Sequence, residues 1–196
     1  PVVFGIGGNN TSAIVNRLTN TNLDGVSGIL SVSPYYNKPN QEGIYQHYKA
    51  ISDHSSLPVI MYNVPGRTGS LVAAETTLRI AELPNIVATK EASGSLDVVM
   101  DIMKHKPEDF SVISGDDNYT LPYIAAGMTG VISVIGNAYP KEFSQMVNYA
   151  LDGDFKNARH LHYKLLPTMK AIFMDGNPGG VKYALDKLGI CKNTFR

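Results

Sequence analysis

The chain has 196 residues and carries 17 lysines and arginines against 17 aspartates and glutamates. Because these charges balance and are scattered along the chain, no basic field predicts a nucleic acid or an anionic membrane as partner, and a small-molecule function is favoured. A single cysteine, Cys191, excludes a disulfide within the chain and fits a cytoplasmic protein. No apolar run approaches the roughly 18 residues of a membrane-spanning helix.

Six short runs predict β-strands, and each is apolar almost throughout. This composition is typical of parallel strands that are covered on both faces. Thr11 or Ser12, and further along Ser95, are predicted to cap helices between the strands. The alternation of strand and helix predicts right-handed βαβ units. The predicted strands cover residues 1–6, 26–33, 58–64, 86–92, 110–115 and 130–136.

After residue 136 the strand pattern stops and amphipathic helices follow. By pattern alone, six parallel strands fit either an open doubly wound sheet or most of an eight-stranded barrel. The chain opens directly on a strand at Pro1, which favours a barrel whose first two βα units are absent from the sequence. We therefore predict a partial barrel over 1–136, and the final barrel helix with a C-terminal helical extension over 137–196.

Chemically capable side chains gather where the predicted strands end, the edge at which parallel α/β folds place their functional sites. No strand end carries a histidine, so a zinc site built from imidazoles is not expected. The pair Asp116 and Asp117 offers carboxylates to a divalent cation, but neighbours on a strand point to opposite faces, which disfavours a metal site. The strand ends carry Tyr35, Tyr36, Tyr62, Arg67, Lys90, Asp116 and Asp117.

Lys90 closes the apolar run IVATK, a position where lysine is unexpected. A desolvated, neutral amine attacks a carbonyl to form a Schiff base, and the iminium then stabilises a carbanion on the adjacent carbon. Tyr62, at the neighbouring strand end, is a candidate for moving the protons. The same residues also fit simpler roles: a solvated lysine, packing tyrosines, and an ion pair between Arg67 and Glu91.

Five motifs occur together in one order and spacing: SPYYNKP, YNVPGRTG, KEASG, SGDD and GVISVIGN. In these the chain resembles the dihydrodipicolinate synthase family, within the N-acetylneuraminate lyase superfamily of class I aldolases. The resemblance implies an α/β (β/α)8 TIM barrel, of which this chain holds strands 3–8, and a C-terminal helical extension. It also implies a cytoplasmic homotetramer, a dimer of dimers. Its activity would be to condense pyruvate with L-aspartate 4-semialdehyde to 4-hydroxy-tetrahydrodipicolinate in lysine and diaminopimelate biosynthesis. The chemistry would run through a covalent lysine–pyruvate imine, with no cofactor and no metal.

The resemblance also implies roles for single residues. Lys90 matches the Schiff-base lysine, and Tyr62 matches the phenol that relays protons to and from the adduct. Tyr36 matches a tyrosine that is donated across the dimer interface into the neighbour's relay. Arg67 matches the arginine that receives the carboxylate of the semialdehyde.

Further positions match the pyruvate pocket and an effector site. Gly115 and Ile132 match positions that line the pyruvate site. Asn9 and Tyr35 match residues that bind free lysine in feedback-inhibited members. The acid of that effector site is replaced by Ala13, which predicts weak or absent inhibition by lysine. A further family motif, G(T/S)TGE, supplies a threonine to the relay and does not occur in this sequence.

Two other functions compete with this interpretation. N-acetylneuraminate lyases and 2-keto-3-deoxy sugar-acid aldolases share the lysine and the tyrosine, but they generally carry an uncharged residue where this chain has Arg67. An arginine fork suits a short aldehyde with a carboxylate. A function of another class is a non-catalytic fragment or oligomeric partner that lacks the threonine motif.

Overall fold

A β-sheet whose strands follow chain order forms the first part of the molecule. The computed structural model describes residues 1–194. Three of the strand pairings, β1–β2, β2–β3 and β3–β4, are parallel. Strand order does not reverse along the sheet, whereas a doubly wound sheet reverses at its switch point, so this order favours the barrel. The strands are β1 (Val3–Gly5), β2 (Gly28–Val32), β3 (Val59–Asn63), β4 (Ile86–Glu91) and β5 (Ser111–Ser114).

The described residues divide into two compact units, 1–113 and 114–194. The helices of the first unit are α1 (Thr11–Asn20), α2 (Gln41–His54), α3 (Pro65–Thr68), α4 (Ala74–Ala81) and α5 (Leu96–His105). Those of the second are α6 (Thr120–Ala125), α7 (Pro140–Leu151), α8 (Phe155–Ala171) and α9 (Gly179–Lys187). No helix within 1–194 is long and apolar enough to span a bilayer.

Side-chain caps mark where α1, α2 and α5 begin. Ser95 accepts a hydrogen bond from the Val98 N–H and caps α5, as predicted. The prediction that Thr11 or Ser12 caps α1 is wrong, because Asn10 precedes both and its side-chain oxygen already accepts from the first turn. Asparagine serves this role as well as serine because its carbonyl oxygen reaches the same unpaired N–H groups.

Each unit has its own buried apolar residues. In the first unit they come from strands and helices alike, and include Ile29, Val59, Met61, Tyr48, Ile51, Val99 and Ile102. In the second, α7 and α8 pack together around one cluster that includes Leu121, Ile135, Phe143, Met146, Leu165 and Met169. Burial of these side chains is the main source of stabilisation for each unit.

The predicted strand over 130–136 is wrong except at one position. Only Val131 pairs, in an isolated parallel bridge with Ser114. Beyond it the carboxylate of Asp117 accepts hydrogen bonds from the backbone N–H groups of Val134 and Ile135, the latter at 2.7 Å. These bonds divert the backbone from an extended course into a short 3-10 turn at Ile135–Asn137.

Candidate active site

Lys90 and Tyr62 occupy directly paired positions on neighbouring parallel strands. Tyr62 of β3 pairs with Lys90 of β4, so their side chains project from the same face of the sheet. The Nζ atom of Lys90 lies 4.2 Å from the centroid of the Tyr62 ring. Lys90 is only 8% exposed, which places its amine largely out of water. The pair therefore combines a desolvated amine with a phenol in direct contact.

The next residue on each of these strands forms a second pair, on the other face. Asn63 pairs with Glu91, and both side chains are fully buried. The Nδ2 of Asn63 donates to Glu91 Oε2 at 2.9 Å, and the backbone N–H of Ser93 donates to Glu91 Oε1 at 2.7 Å. Two neutral donors thus bond to the Glu91 carboxylate, and Arg67, its partner in the ion-pair alternative, lies at an exposed position.

Arg67 lies on the short helix α3, directly after β3. The N–H groups of Arg67 and Thr68 both donate to the Val64 carbonyl, at 2.8 and 3.0 Å. Gly69 ends the helix with φ of 77°, in the left-handed region that glycine adopts without strain. This turn places Arg67 directly after the carboxyl end of β3, the end of the strand at which Tyr62 lies.

Tyr35 and Tyr36 lie in the loop between β2 and α2. The Tyr36 side chain is 88% exposed, and its φ of 74° is uncommon for a bulky residue. Its backbone N–H donates to the Thr68 carbonyl at 3.3 Å, which ties this loop to the helix that bears Arg67. An aromatic ring so far out of the fold is available to a partner, but its role stays a prediction.

Asn37 brings the two predicted effector residues together. Its side-chain Nδ2 donates to the Asn9 carbonyl at 3.0 Å, and its backbone N–H donates to the Tyr35 carbonyl at 2.9 Å. Ala13 lies on the first turn of α1 with an exposed side chain. Asn9 and Tyr35 are therefore neighbours through one asparagine, and Ala13 presents no charge beside Asn9.

Gly115 and Ile132 lie in the second unit. The Ile132 N–H donates to the Ser114 carbonyl at 3.0 Å, so Ile132 is held close to the residue that precedes Gly115. Asp117 is buried, and its carboxylate accepts hydrogen bonds from the backbone N–H groups of Val134 and Ile135. Among residues 1–194 no group of three His, Cys, Asp or Glu side chains is arranged to hold a metal ion.

Comparison with known proteins identifies the chain. The profile of the dihydrodipicolinate synthetase family matches residues 1–196. The chain belongs to this family. A 4-hydroxy-tetrahydrodipicolinate synthase of Parabacteroides distasonis is 54% identical over 197 residues, which cover 100% of this chain and 66% of that protein. The chain thus spans about two thirds of the length of this curated relative.

Solved structures of the dihydrodipicolinate synthetase family share the fold. The crystal structure of dihydrodipicolinate synthase from Aquifex aeolicus has a TM-score of 0.95 at 43% identity and covers 100% of this chain and 67% of its own. The chloride-inhibited dihydrodipicolinate synthase from Acinetobacter baumannii, solved in complex with pyruvate, has a TM-score of 0.95 at 38% identity and the same coverage. The predicted fold class, a TIM barrel of which this chain holds the later strands, is confirmed, with the last strand reduced to one bridge.

Three polar residues near the family motifs were not predicted from the sequence. Tyr48 is fully buried, and its hydroxyl lies between two strands: it donates to the Ser31 carbonyl at 2.9 Å and accepts from the Tyr62 N–H at 3.4 Å. Burial raises the pKa of Tyr48 well above its ordinary value, which keeps the hydroxyl protonated. Asn63 and Gln41 hydrogen-bond to the backbone of residues 71–73, which follow Arg67. Asn63 stands inside the YNVPGRTG motif, but no spacing in the sequence indicates its partners.

Proposed function

We propose that this chain carries the Schiff-base centre of a 4-hydroxy-tetrahydrodipicolinate synthase, which condenses pyruvate with L-aspartate 4-semialdehyde. The observation that supports it most is the contact between the buried Lys90 amine and the Tyr62 ring at paired strand positions. The pyruvate bound by the Acinetobacter baumannii relative supports the choice of first substrate.

The neutral amine of Lys90 attacks the C2 carbonyl of pyruvate. The carbinolamine formed loses water to give an iminium, and loss of a C3 proton gives an enamine. The enamine carbon then attacks the aldehyde carbon of the semialdehyde, whose oxygen takes up a proton. Burial of Lys90 favours the neutral amine that the first step requires, because an ammonium loses its hydration there.

Tyr62 is the group that moves protons in this scheme. Its ring lies against the Lys90 amine, so its hydroxyl belongs to the same small region as the reacting carbon atoms. We assign to it the proton transfers of carbinolamine and enamine formation. Tyr36, exposed on its loop, would complete the relay of a second copy in a homotetramer, and a threonine outside this sequence would complete that of this chain.

Arg67 is proposed to bind the carboxylate of the semialdehyde. A guanidinium presents paired N–H donors that match a carboxylate, and an exposed position at the strand end lets it meet an incoming substrate. Gly115 and Ile132 are proposed to line the pyruvate site. No cofactor is needed, since the imine itself supplies the electron sink, and we expect the enzyme to work in the cytoplasm.

The test is reductive trapping in the protein at its full natural length. Pyruvate and borohydride should add to Lys90 the mass of pyruvic acid less one oxygen, as located by peptide mass spectrometry. Lys90→Arg should abolish the adduct, while Lys49→Arg, at an exposed lysine paired with Asp53, should leave it intact. An unmodified Lys90 in the parent protein overturns the proposal. Turnover with L-aspartate 4-semialdehyde but not with N-acetylneuraminate separates the synthase from the lyase.

A further inference from the structure

We propose that Asn63 and Gln41 are positioning residues that hold the Arg67 loop in place by clamping the backbone that follows it. The Arg67 loop is residues 64–70, and the clamped segment is residues 71–73. The inference rests on the proposed function only where it assigns a substrate to Arg67.

Asn63 clamps Val72 from the inside of the fold. Its Nδ2 donates to the Val72 carbonyl at 3.1 Å, and its Oδ1 accepts from the Val72 N–H at 3.1 Å. A primary amide offers one donor and one acceptor side by side, so it pairs with the N–H and C=O of a single residue as a neighbouring strand would. Both partners are buried, where water cannot replace the two bonds.

Gln41 clamps the same segment from the other side. Its Nε2 donates to the Leu71 carbonyl at 2.8 Å, and its Oε1 accepts from the Ala73 N–H at 3.0 Å. In an extended backbone the N–H and C=O of one residue, here Val72, point to the same side. The C=O of the residue before it and the N–H of the residue after it point to the opposite side. The two amides therefore take up both edges of the segment. Gln41 is exposed, so its bonds are worth less than those of Asn63.

Glu91 determines the orientation of the Asn63 amide. Its Oε2 accepts from the Nδ2 of Asn63, which turns the nitrogen of Asn63 towards Glu91 and leaves one further N–H for Val72. Asn63 and Glu91 directly follow Tyr62 and Lys90 in their strands. One face of these strand ends thus carries the Schiff-base pair, and the other anchors the loop that carries Arg67.

The consequence is a loop whose two ends are tied. It leaves β3 at Asn63 and returns to the side chain of Asn63 at Val72, nine residues later. Inside it, Thr68 Oγ1 donates to the Ser70 carbonyl at 2.9 Å. Arg67 is thereby held at a fixed distance from Tyr62 and Lys90 before substrate binds, which reduces the entropy lost when a carboxylate docks.

The test uses Gln41→Leu and Asn63→Leu in the protein at its full natural length. Gln46→Leu is the matched control, because Gln46 is an exposed glutamine of the same helix whose amide donates to Glu42. Hydrogen exchange should accelerate at the Arg67 and Thr68 amides, about fivefold in Gln41→Leu, which loses two exposed hydrogen bonds, and tenfold or more in Asn63→Leu, which loses three buried ones. The control should leave both amides unchanged. Unchanged exchange in Gln41→Leu, which removes an exposed side chain and should fold, overturns the proposal.

Kinetics then test whether the clamp acts through Arg67. The KM for L-aspartate 4-semialdehyde should rise about fivefold in Gln41→Leu, while borohydride trapping of pyruvate on Lys90 stays at the parent level. In an Arg67→Ala background the same substitution should add nothing, because the group it positions is gone. A KM increase that persists in this background overturns the positioning role. If Arg67→Ala itself leaves KM unchanged, the proposed role of Arg67 fails, and the exchange data still decide whether the clamp exists.

Discussion

The Lys90 amine lies 4.2 Å from the centroid of the Tyr62 ring, and the two residues are directly paired across β3 and β4. The ring face attracts a cation, while burial of Lys90 opposes charge. The contact is therefore suited to an amine that is neutral when it attacks a ketone and positive once the iminium has formed. The phenol oxygen is not needed for this ring contact, so the two contributions of Tyr62 can be separated.

Tyr62→Phe should keep the ring and remove the proton carrier. We expect the Lys90–pyruvate adduct to form still, but kcat to fall by about 10²–10⁴-fold, the usual contribution of a general acid or base. Steady-state turnover and borohydride trapping on the same preparation measure the two effects. Tyr45→Phe is the control, because the Tyr45 ring packs under Arg79 on the surface side of α2. Full turnover by Tyr62→Phe would contradict the relay role.

Arg67→Ala should weaken binding of the second substrate only. Loss of a charge-assisted hydrogen-bonding group costs about 1.5–3 kcal/mol, so KM for L-aspartate 4-semialdehyde should rise roughly 10- to 150-fold. Pyruvate trapping on Lys90 should be unaffected. Arg79→Ala removes another exposed arginine, one that pairs with Glu42, and should change neither quantity. An equal rise in KM for pyruvate would show that Arg67 does not discriminate between the substrates.

Tyr48→Phe should destabilise the fold at the strand that carries Tyr62. The variant leaves the buried Ser31 carbonyl without the 2.9 Å bond from the Tyr48 hydroxyl, and the Tyr62 N–H without its 3.4 Å contact. We expect the free energy of unfolding to fall by about 1–2 kcal/mol, as measured by urea denaturation. Unchanged stability would mean that other groups satisfy both backbone atoms.

His47 predicts a pH dependence of stability. Burial lowers the pKa of His47 from 6.5 to about 4, so the folded state binds a proton less readily than the unfolded chain. The contribution of His47 to the free energy of unfolding is fully present above pH 6.5 and is lost as the pH falls towards 4. The loss over that interval amounts to about 3 kcal/mol. The folded protein keeps the neutral ring beside Thr11, whose hydroxyl lies 2.7 Å from Nδ1.

The measurement compares unfolding of His47→Gln with that of the parent protein between pH 4 and 7. The variant should be less stable at pH 7 but should lose less stability on acidification. His54→Gln, at an exposed histidine on the last turn of α2, should follow the parent curve. Parallel curves for His47→Gln and the parent protein would show that His47 does not titrate differently on folding.

The first five strands and the closeness of Lys90 and Tyr62 could be predicted from the sequence because their signals are local. An apolar run that ends in Lys90 marks the end of its strand. Because the carboxyl ends of parallel strands meet at one edge of the sheet, Tyr62, at the end of the preceding strand, is expected to lie close to Lys90. The clamp on Val72 could not be predicted in this way. Asn63 reaches Val72 across nine residues and Glu91 across 28, and the contact with Glu91 depends on the register of β3 against β4.

Contacts between residues distant in sequence also explain why the predicted strand over 130–136 does not form. Its composition is that of a strand. However, the carboxylate of Asp117 accepts hydrogen bonds from the N–H groups of Val134 and Ile135, 17 and 18 residues later, which strand pairing would otherwise use. Tertiary hydrogen bonds of this kind override the local strand propensity, and the pattern of apolar residues does not indicate them. The sequence indicates that Asp117 is a strand-end acid, but it does not indicate its partners.

The site at Asn9 and Tyr35 predicts that free lysine inhibits weakly or not at all. Asn37 holds these two residues together, but Ala13 on the first turn of α1 offers no carboxylate to an ammonium group. A dose–response curve should therefore show no inhibition at sub-millimolar lysine. Ala13→Glu should introduce sensitivity, since it supplies a carboxylate at the position of the missing acid, and a negative charge is tolerated at a helix N-terminus. Ser12→Glu adds the same charge one residue earlier, on another side of the helix, and should not. Strong inhibition of the parent protein would show that the lysine ammonium binds a negative charge elsewhere. Equal sensitivity of the two variants would show that the added charge alone, and not its position in the helix, is responsible.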